Sequence, residues 1–380
     1  MNYFSSIKFN RNELSGAFGD IGTDLPLIIG MLLASDFNTA NVLVLFGAMQ
    51  VLTGLIYKMP MAVQPLKAVA LIVITQKISG DVVLAGGLVI GVLMFILSVT
   101  GLLSYLEKLI PKTIIRGIQF GLGIQLSLIA LKDYIPSDQI PGFIIAGIGF
   151  VLGLVFIGNK KYPPALFIIF IGIIYSLVLK FDYSSFAVAL PAFSLPVFNP
   201  QLLWTGFALL ALPQIPLSIG NSVFATKQVA HDLFPEKKIT TKKIGFTYSF
   251  MNVCSSLFGG IPVCHGSGGL VGQYNFGGRT GASAIIYGLF YIFLGLAFSG
   301  NFPQIIQLFP KPILGVILLF EGIALIILVK DVITNRKNFF IAVMVGLMAC
   351  SLPYGYIIGM IFGIFVYYFC DKWFLKNYGK

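Results

Sequence analysis

Charge is what this chain has least of. Of its 380 residues only 10% are Asp, Glu, Lys or Arg, against roughly 25% in soluble globular domains, which excludes an ordinary soluble fold. Acidic residues number 14 and histidines two, scattered too thinly for a metal centre or a nucleophile–base pair, so neither a metal site nor an enzyme is expected. Four cysteines, Cys254, Cys264, Cys350 and Cys370, lack zinc-ligand spacing and read as small apolar residues rather than disulfides. No phosphate-binding loop ending in Gly-Lys-Ser/Thr occurs. Gly266 to Gly272 is glycine-rich, but no strand–helix–strand unit surrounds it, so transport driven by ATP within this chain is not expected, nor is any cofactor. Lys8, Arg11 and Glu13 lead straight into a long apolar run, which argues against a cleavable signal. The short stretch after the last run suggests no sizeable cytoplasmic domain.

What is present is hydrophobicity: 57% apolar residues and a mean hydropathy of +0.92. Runs of about 17–25 apolar residues cross a bilayer as helices, and about fourteen candidates occur: 12–33, 40–57, 64–78, 82–104, 112–131, 141–158, 164–180, 201–226, 240–258, 266–275, 282–299, 312–330, 338–351 and 354–371. The third and tenth are too short to cross alone. A net charge of +11 raises the question of a nucleic-acid partner, but its distribution answers it. With both termini in the cytoplasm of a multi-pass cell-membrane protein, Lys58, Lys112, Lys160, Lys237 and most other basic residues fall inside. Lys77, Lys132, Lys180 and Lys311 fall outside, and Lys67 lies within the membrane. The positive-inside rule accounts for that pattern, and no nucleic acid is expected.

The two short runs coincide with two interruptions, Pro60 to Lys67 and Ile261 to Gly269. Both place polar groups and helix breakers at membrane depth, where non-helical backbone is tolerated only against protein or a watery cavity. Short matches tie the halves together. Asp24-Leu25-Pro26-Leu27-Ile28-Ile29-Gly30 resembles Gln214-Ile215-Pro216-Leu217-Ser218-Ile219-Gly220, Ile110-Pro111-Lys112 resembles Phe309-Pro310-Lys311, and Pro60 aligns with Pro262. An odd number of spans separates the members of each pair, so the copies are inverted. Such repeats put half-helices and a binding site at the midplane. The expected fold is therefore an all-α polytopic membrane protein of about 14 transmembrane segments in a 7+7 inverted repeat with half-helices at segments 3 and 10. Its repeats divide at residues 1–190 and 191–380.

Intramembrane ionisable groups are functional candidates by default. Here they are Asp20, Asp24, Lys67, His265 and Glu321. Gln64 sits near the start of one half-helix, and Gly266, Ser267 and Gly268 start the other. Helix N-termini expose unpaired N–H groups and the positive dipole end, so two converging ones form an anion site without a formal cation. Lys67 either faces that cavity, or snorkels or pairs with Asp20 or Asp24. His265 either donates to the anion or is a hydrogen-bonded core residue. Asp20 and Asp24, four apart, either carry a coupled proton or pair with Lys67. Gln214 and Asn221, seven apart, lie on one helix face as neutral donors. Val63 and Thr23 complete the candidate substrate-binding set. Glu321 reads as packing or gating, and Lys227 to Lys243 as a solvated basic loop.

Four motifs carry a resemblance: Gly16-Ala17-Phe18-Gly19-Asp20-Ile21-Gly22-Thr23-Asp24-Leu25-Pro26, Met59 to Ala68, Leu212-Pro213-Gln214-Ile215-Pro216 with Asn221-Ser222, and Pro262 to Leu270. With them the chain resembles the molybdate-transporter branch of the sulfate permease superfamily, without the STAS domain of typical sulfate permeases. The resemblance implies the inverted-repeat fold shared with sulfate and nucleobase permeases. Segments 1–4 and 8–11 then form a core, segments 5–7 and 12–14 a gate, with substrate between the half-helices. It implies a secondary active transporter for molybdate and tungstate working by alternating access, with proton coupling open. The rivals are a sulfate or other oxyanion carrier and an anion channel. The expected partners are a small oxyanion and the bilayer, and homodimerisation is left open.

Overall fold

A computed structural model describes residues 6–156, 164–179, 191, 195–297 and 309–369. Lys160, Lys180, Cys370 and the repeat boundary at 190 lie outside the described residues. Helices dominate. In chain order they are α1 (Arg11–Ala17), α2 (Ile21–Ala34), α3 (Thr39–Tyr57), α4 (Lys67–Gln76), α5 (Gly80–Val99), α6 (Leu102–Leu109), α7 (Lys112–Ile129), α8 (Gln139–Phe156) and α9 (Pro164–Leu179). There follow α10 (Pro200–Gly206), α11 (Leu212–Leu217), α12 (Thr226–Leu233), α13 (Thr241–Leu257), α14 (Ser267–Asn275), α15 (Ala282–Ala297), α16 (Lys311–Ile327), α17 (Arg336–Ser351) and α18 (Gly355–Phe369). Among the described residues each of the apolar runs contains a helix, and six continuous stretches are long and apolar enough to cross a membrane.

The polarity of the molecule is inside out. Phe95, Val155, Phe340 and Phe365 are exposed, while Asp20, Gln64, Asn252 and Gln273 are buried. In water such an exterior would aggregate. In lipid it costs nothing, and the polar groups must find partners within the protein.

Where the chain leaves the helical state, those partners are visible. Lys58 ends α3 in the left-handed region (φ 51°), and Gly259 does the same after α13 (φ 79°). Each turn feeds a three-residue strand, β1 (Val63–Pro65) and β2 (Val263–His265), and the two pair antiparallel with Gln64 opposite Cys264. Leu66 N–H donates to the Pro262 carbonyl at 3.1 Å and Gly266 N–H to the Ala62 carbonyl at 3.2 Å. Antiparallel pairing sends α4 and α14 away from the strands in opposite directions. Val63 pairs with His265 and Pro65 with Val263 about the central Gln64–Cys264 pair, a two-fold arrangement in which residues 200 apart, such as Val63 and Val263, are equivalent. The register therefore equates Pro262 with Ala62, two residues from the Pro60 match that the sequence suggested. Lys67 and Ser267 become equivalent first residues of their helices.

Two further expectations are corrected. The stretch from Lys227 is not all loop: α12 carries the helix on to Leu233, because Ala230 and Phe234 bury against Tyr57, Met59, Met61 and Leu270. Asp20 and Asp24 do not sit on one regular helix, since a 3₁₀ turn at Phe18–Asp20 separates α1 from α2. There Gly19 and Gly272 pack backbone to backbone, and a Cβ on either would strike the other's carbonyl.

Candidate functional site

The strand pair lies at the centre of the site and is braced by two amides that sequence reasoning overlooked. Gln50 of α3 donates to the Val63 carbonyl (2.7 Å) and accepts from Val63 N–H (3.2 Å). Asn252 of α13 does the same for Val263, at 2.6 and 2.9 Å. These contacts satisfy backbone groups that a dry interior would otherwise leave unpaired. Gln50 and Asn252 stand 202 apart, the spacing of the Pro60 and Pro262 match, so an amide recurring at that offset was the available signal. Val63 itself is fully buried, and both its backbone groups are engaged by Gln50.

From the strands the two short helices start alike and end up differently. The Gln214 side-chain oxygen accepts from Ala68 N–H (3.0 Å) and Val69 N–H (3.3 Å), while its NH2 donates to the Ser218 hydroxyl at 3.2 Å. In this arrangement it caps α4. Pro213 and Pro216 flank it, and π-helical turns at Phe207–Ala211 and Ser218–Ala225 absorb the missing N–H donors. By contrast α14 has no side-chain cap, and a Cβ placed on Gly268 would meet open space. Ser267 donates to the Asn221 side-chain oxygen at 3.3 Å, and Gln119 of α7 donates to the same oxygen at 2.9 Å. The Asn221 carbonyl is thereby taken, leaving its NH2 as the donor face.

Gln64 is buried and directs its NH2 at Asp20, 2.7 and 2.9 Å from the two carboxylate oxygens. Its own oxygen is buried without a partner, against Gly266, where any Cβ would collide with it. It therefore anchors Asp20 and does not face an anion with a donor. Both oxygens of Asp24 are buried, with the Tyr287 hydroxyl of α15 against the carboxylate and Tyr291 close enough to feel its charge.

Lys67 pairs with neither aspartate. Its ammonium bonds Glu321 of α16, whose second oxygen accepts from Thr23 at 3.2 Å. Glu321, which the sequence suggests for packing or gating, thus holds Lys67 with one oxygen and Thr23 with the other. The repeat matches did not reach either pairing, because both join helices from opposite halves. Of the two readings of His265 the geometry favours the hydrogen-bonded one: its ring bonds the Thr247 hydroxyl at 2.6 Å and packs edge-on against Tyr57 (centroids 5.4 Å apart), fully buried. No cluster of three metal-ligating side chains occurs among the described residues.

The fold has solved counterparts. The transmembrane domain of a cyanobacterial bicarbonate transporter, BicA, superposes with a TM-score of 0.64 at 20% identity, covering 91% of this chain and 99% of that one. The murine solute carrier 26 family member A9 anion transporter in the inward-facing state superposes at 0.70 with 14% identity, covering 97% and 70%. At such identities the fold is what is shared: an all-α polytopic membrane transporter fold. Sequence takes the assignment further. A family model described as "Molybdate transporter of MFS superfamily" matches residues 12–126 and 206–325, which include both strands and both short helices. The chain is 30% identical to molybdate transporter 1 of Arabidopsis thaliana over 97% of its own length and 89% of the relative's. It is 31% identical to molybdate transporter 2 of the same plant, over 87% and 82%. The chain belongs to the molybdate transporter family.

Proposed function

We propose that the protein is a secondary active transporter of molybdate, and of the similar dianion tungstate, in a cell membrane. The observation that carries this reading is the uncapped N-terminus of α14. Open space lies at Gly268, the Ser267 hydroxyl and Asn221 amide stand beside it, and the buried Lys67 ammonium lies near enough to act on the neighbouring Asp20 and Cys264. A tetrahedral oxyanion suits such a place. Unpaired N–H groups and the helix dipole bind it, the hydroxyl and amide orient it, and glycine lets it approach the backbone. The names of the relatives supply molybdate as the particular oxyanion.

In this reading the chain crosses the membrane in 14 segments arranged as a 7+7 inverted repeat, with α4 and α14 as half-helices. Residues 1–190 and 191–380 are the two copies. Segments 1–4 and 8–11 form a core that moves against a gate of segments 5–7 and 12–14, exposing the site to each side in turn. Both termini are cytoplasmic, as the basic residues require. Of the two carboxylates considered for a coupled proton, Asp24 is the stronger candidate, because it is fully buried beside the Tyr287 hydroxyl whereas both oxygens of Asp20 are held by Gln64. Nucleic acid has no part in the reading, and a homodimer is compatible with it.

Uptake into proteoliposomes tests it, with labelled molybdate against unlabelled tungstate and sulfate, with and without a pH gradient. Saturable molybdate uptake inhibited by tungstate is expected. Sulfate uptake indifferent to molybdate would replace the substrate, and non-saturable flux would indicate a channel.

A further inference from the structure

Lys67 and Glu321 form an ion pair between an element of the proposed core and one of the proposed gate. Lys67 opens α4, in the proposed core, and Glu321 lies mid-way along α16, in the proposed gate. The pair is not sealed: the Glu321 side chain keeps 18% of its exposure and that of Lys67 only 7%. Asp20 and Asp24 are more deeply buried than Glu321. A buried pair contributes little net stability because desolvation offsets its Coulomb attraction, yet removing one partner leaves the other charge uncompensated. Lys67 therefore needs an anionic partner at every stage. The backbone end of α4 beside it is already occupied by Gln214, so the ammonium is the positive group that end still offers. The carboxylates within electrostatic reach are Asp20, Asp24 and Glu321. Asp20 is held by Gln64, and only Glu321 bonds Lys67.

We infer that Glu321 is a built-in counter-anion, whose carboxylate occupies beside Lys67 the place that a bound oxyanion takes, so that ion pair and anion exclude one another. This rests on the oxyanion-transporter reading above. In the empty protein the pair neutralises Lys67 and ties gate to core, with Thr23 holding the second carboxylate oxygen in position. An arriving dianion displaces Glu321, neutralises Lys67 itself and unties that contact. A second tie follows the same plan. Gln119 of α7 donates to Asn221, and α7 and α16 start 199 residues apart at Lys112 and Lys311. Both gate helices thus touch the core through residues at the site, which makes the contacts between the two bodies depend on occupancy.

The test is equilibrium molybdate binding to the purified full chain by titration calorimetry, with Glu321→Gln, Lys67→Gln and the double variant. Competition predicts opposite signs. Glu321→Gln tightens binding by roughly fivefold or more, Lys67→Gln weakens it by a comparable or larger factor, and the double variant falls between them. In uptake assays KM moves in the same opposed directions. A merely structural salt bridge would shift both single variants the same way. Should Glu321→Gln fail to fold, Glu321→Asp, which draws the carboxylate back by one methylene, is expected to tighten binding to a smaller degree. A folded Glu321→Gln protein that binds molybdate no more tightly than the parent overturns the inference alone. A parent protein that binds neither molybdate, tungstate nor sulfate overturns the transporter reading and this inference with it.

Discussion

The two ends of the strand pair begin as the same structure. Each has a helix closed by a left-handed residue, a strand whose first residue is clamped by an amide from the preceding helix, and a short helix starting at equivalent positions, Lys67 and Ser267. Their chemistry then diverges. At α4 the backbone donors are consumed by Gln214 and the first side chain is a paired cation. At α14 the helix is uncapped and the first side chain is a hydroxyl. The comparison separates what symmetry provides from what a substrate requires. The repeat supplies two rigid, oppositely directed helix starts. A single small anion needs only one of them open, and the other is free to carry charge compensation and the link to the gate.

The largest effects should come from breaking what the two ends share. Gln50→Leu leaves the Val63 N–H and C=O without partners, and Asn252→Leu does the same at Val263. At roughly 1–3 kcal/mol for each buried unpaired group, either variant should lose about 2–6 kcal/mol of stability, read as a lowered melting temperature in detergent. Equal losses would support the shared scaffold, and a silent Asn252→Leu would break the symmetry argument. The next prediction probes the difference between the ends. A leucine at Gly268 enters open space, so Gly268→Leu should fold while losing about 100-fold in molybdate affinity, about 2.7 kcal/mol. Gln214→Ala should do the reverse: uncapping α4 costs about 1 kcal/mol of stability, seen in the melting temperature.

Much of this frame was legible in the sequence, and the reason is physical. Lipid forces apolar runs of a fixed length, so the long apolar helices declared themselves while the polar α12 did not, and helix-breaking residues at Pro60 and Pro262 stood out against them. Tertiary pairing left no such mark. Glu321 lies 254 residues from Lys67, and nothing in the local pattern near either residue specifies the other. The direction of an amide was equally silent. Gln64 and Gln214 read as donors to an anion, but each can also accept, and the structure turns Gln64 toward Asp20 and Gln214 toward the α4 backbone. His265 had two readings, anion donor or hydrogen-bonded core residue, and its contacts with Thr247 and Tyr57 favour the second.

The smallest predicted effect is the sharpest test of which end binds. Ser267 donates to Asn221 over 3.3 Å, a long bond that gives up little when the hydroxyl re-aims at an anion. Ser267→Ala should therefore leave the melting temperature almost unchanged and weaken molybdate binding by about fivefold, the roughly 1 kcal/mol of one hydrogen bond. Ser267→Thr keeps the hydroxyl and should recover most of that loss. If the alanine variant binds as the parent does while variants at Lys67 still alter affinity, the anion sits at the α4 end instead, and the uncapped helix would need another purpose.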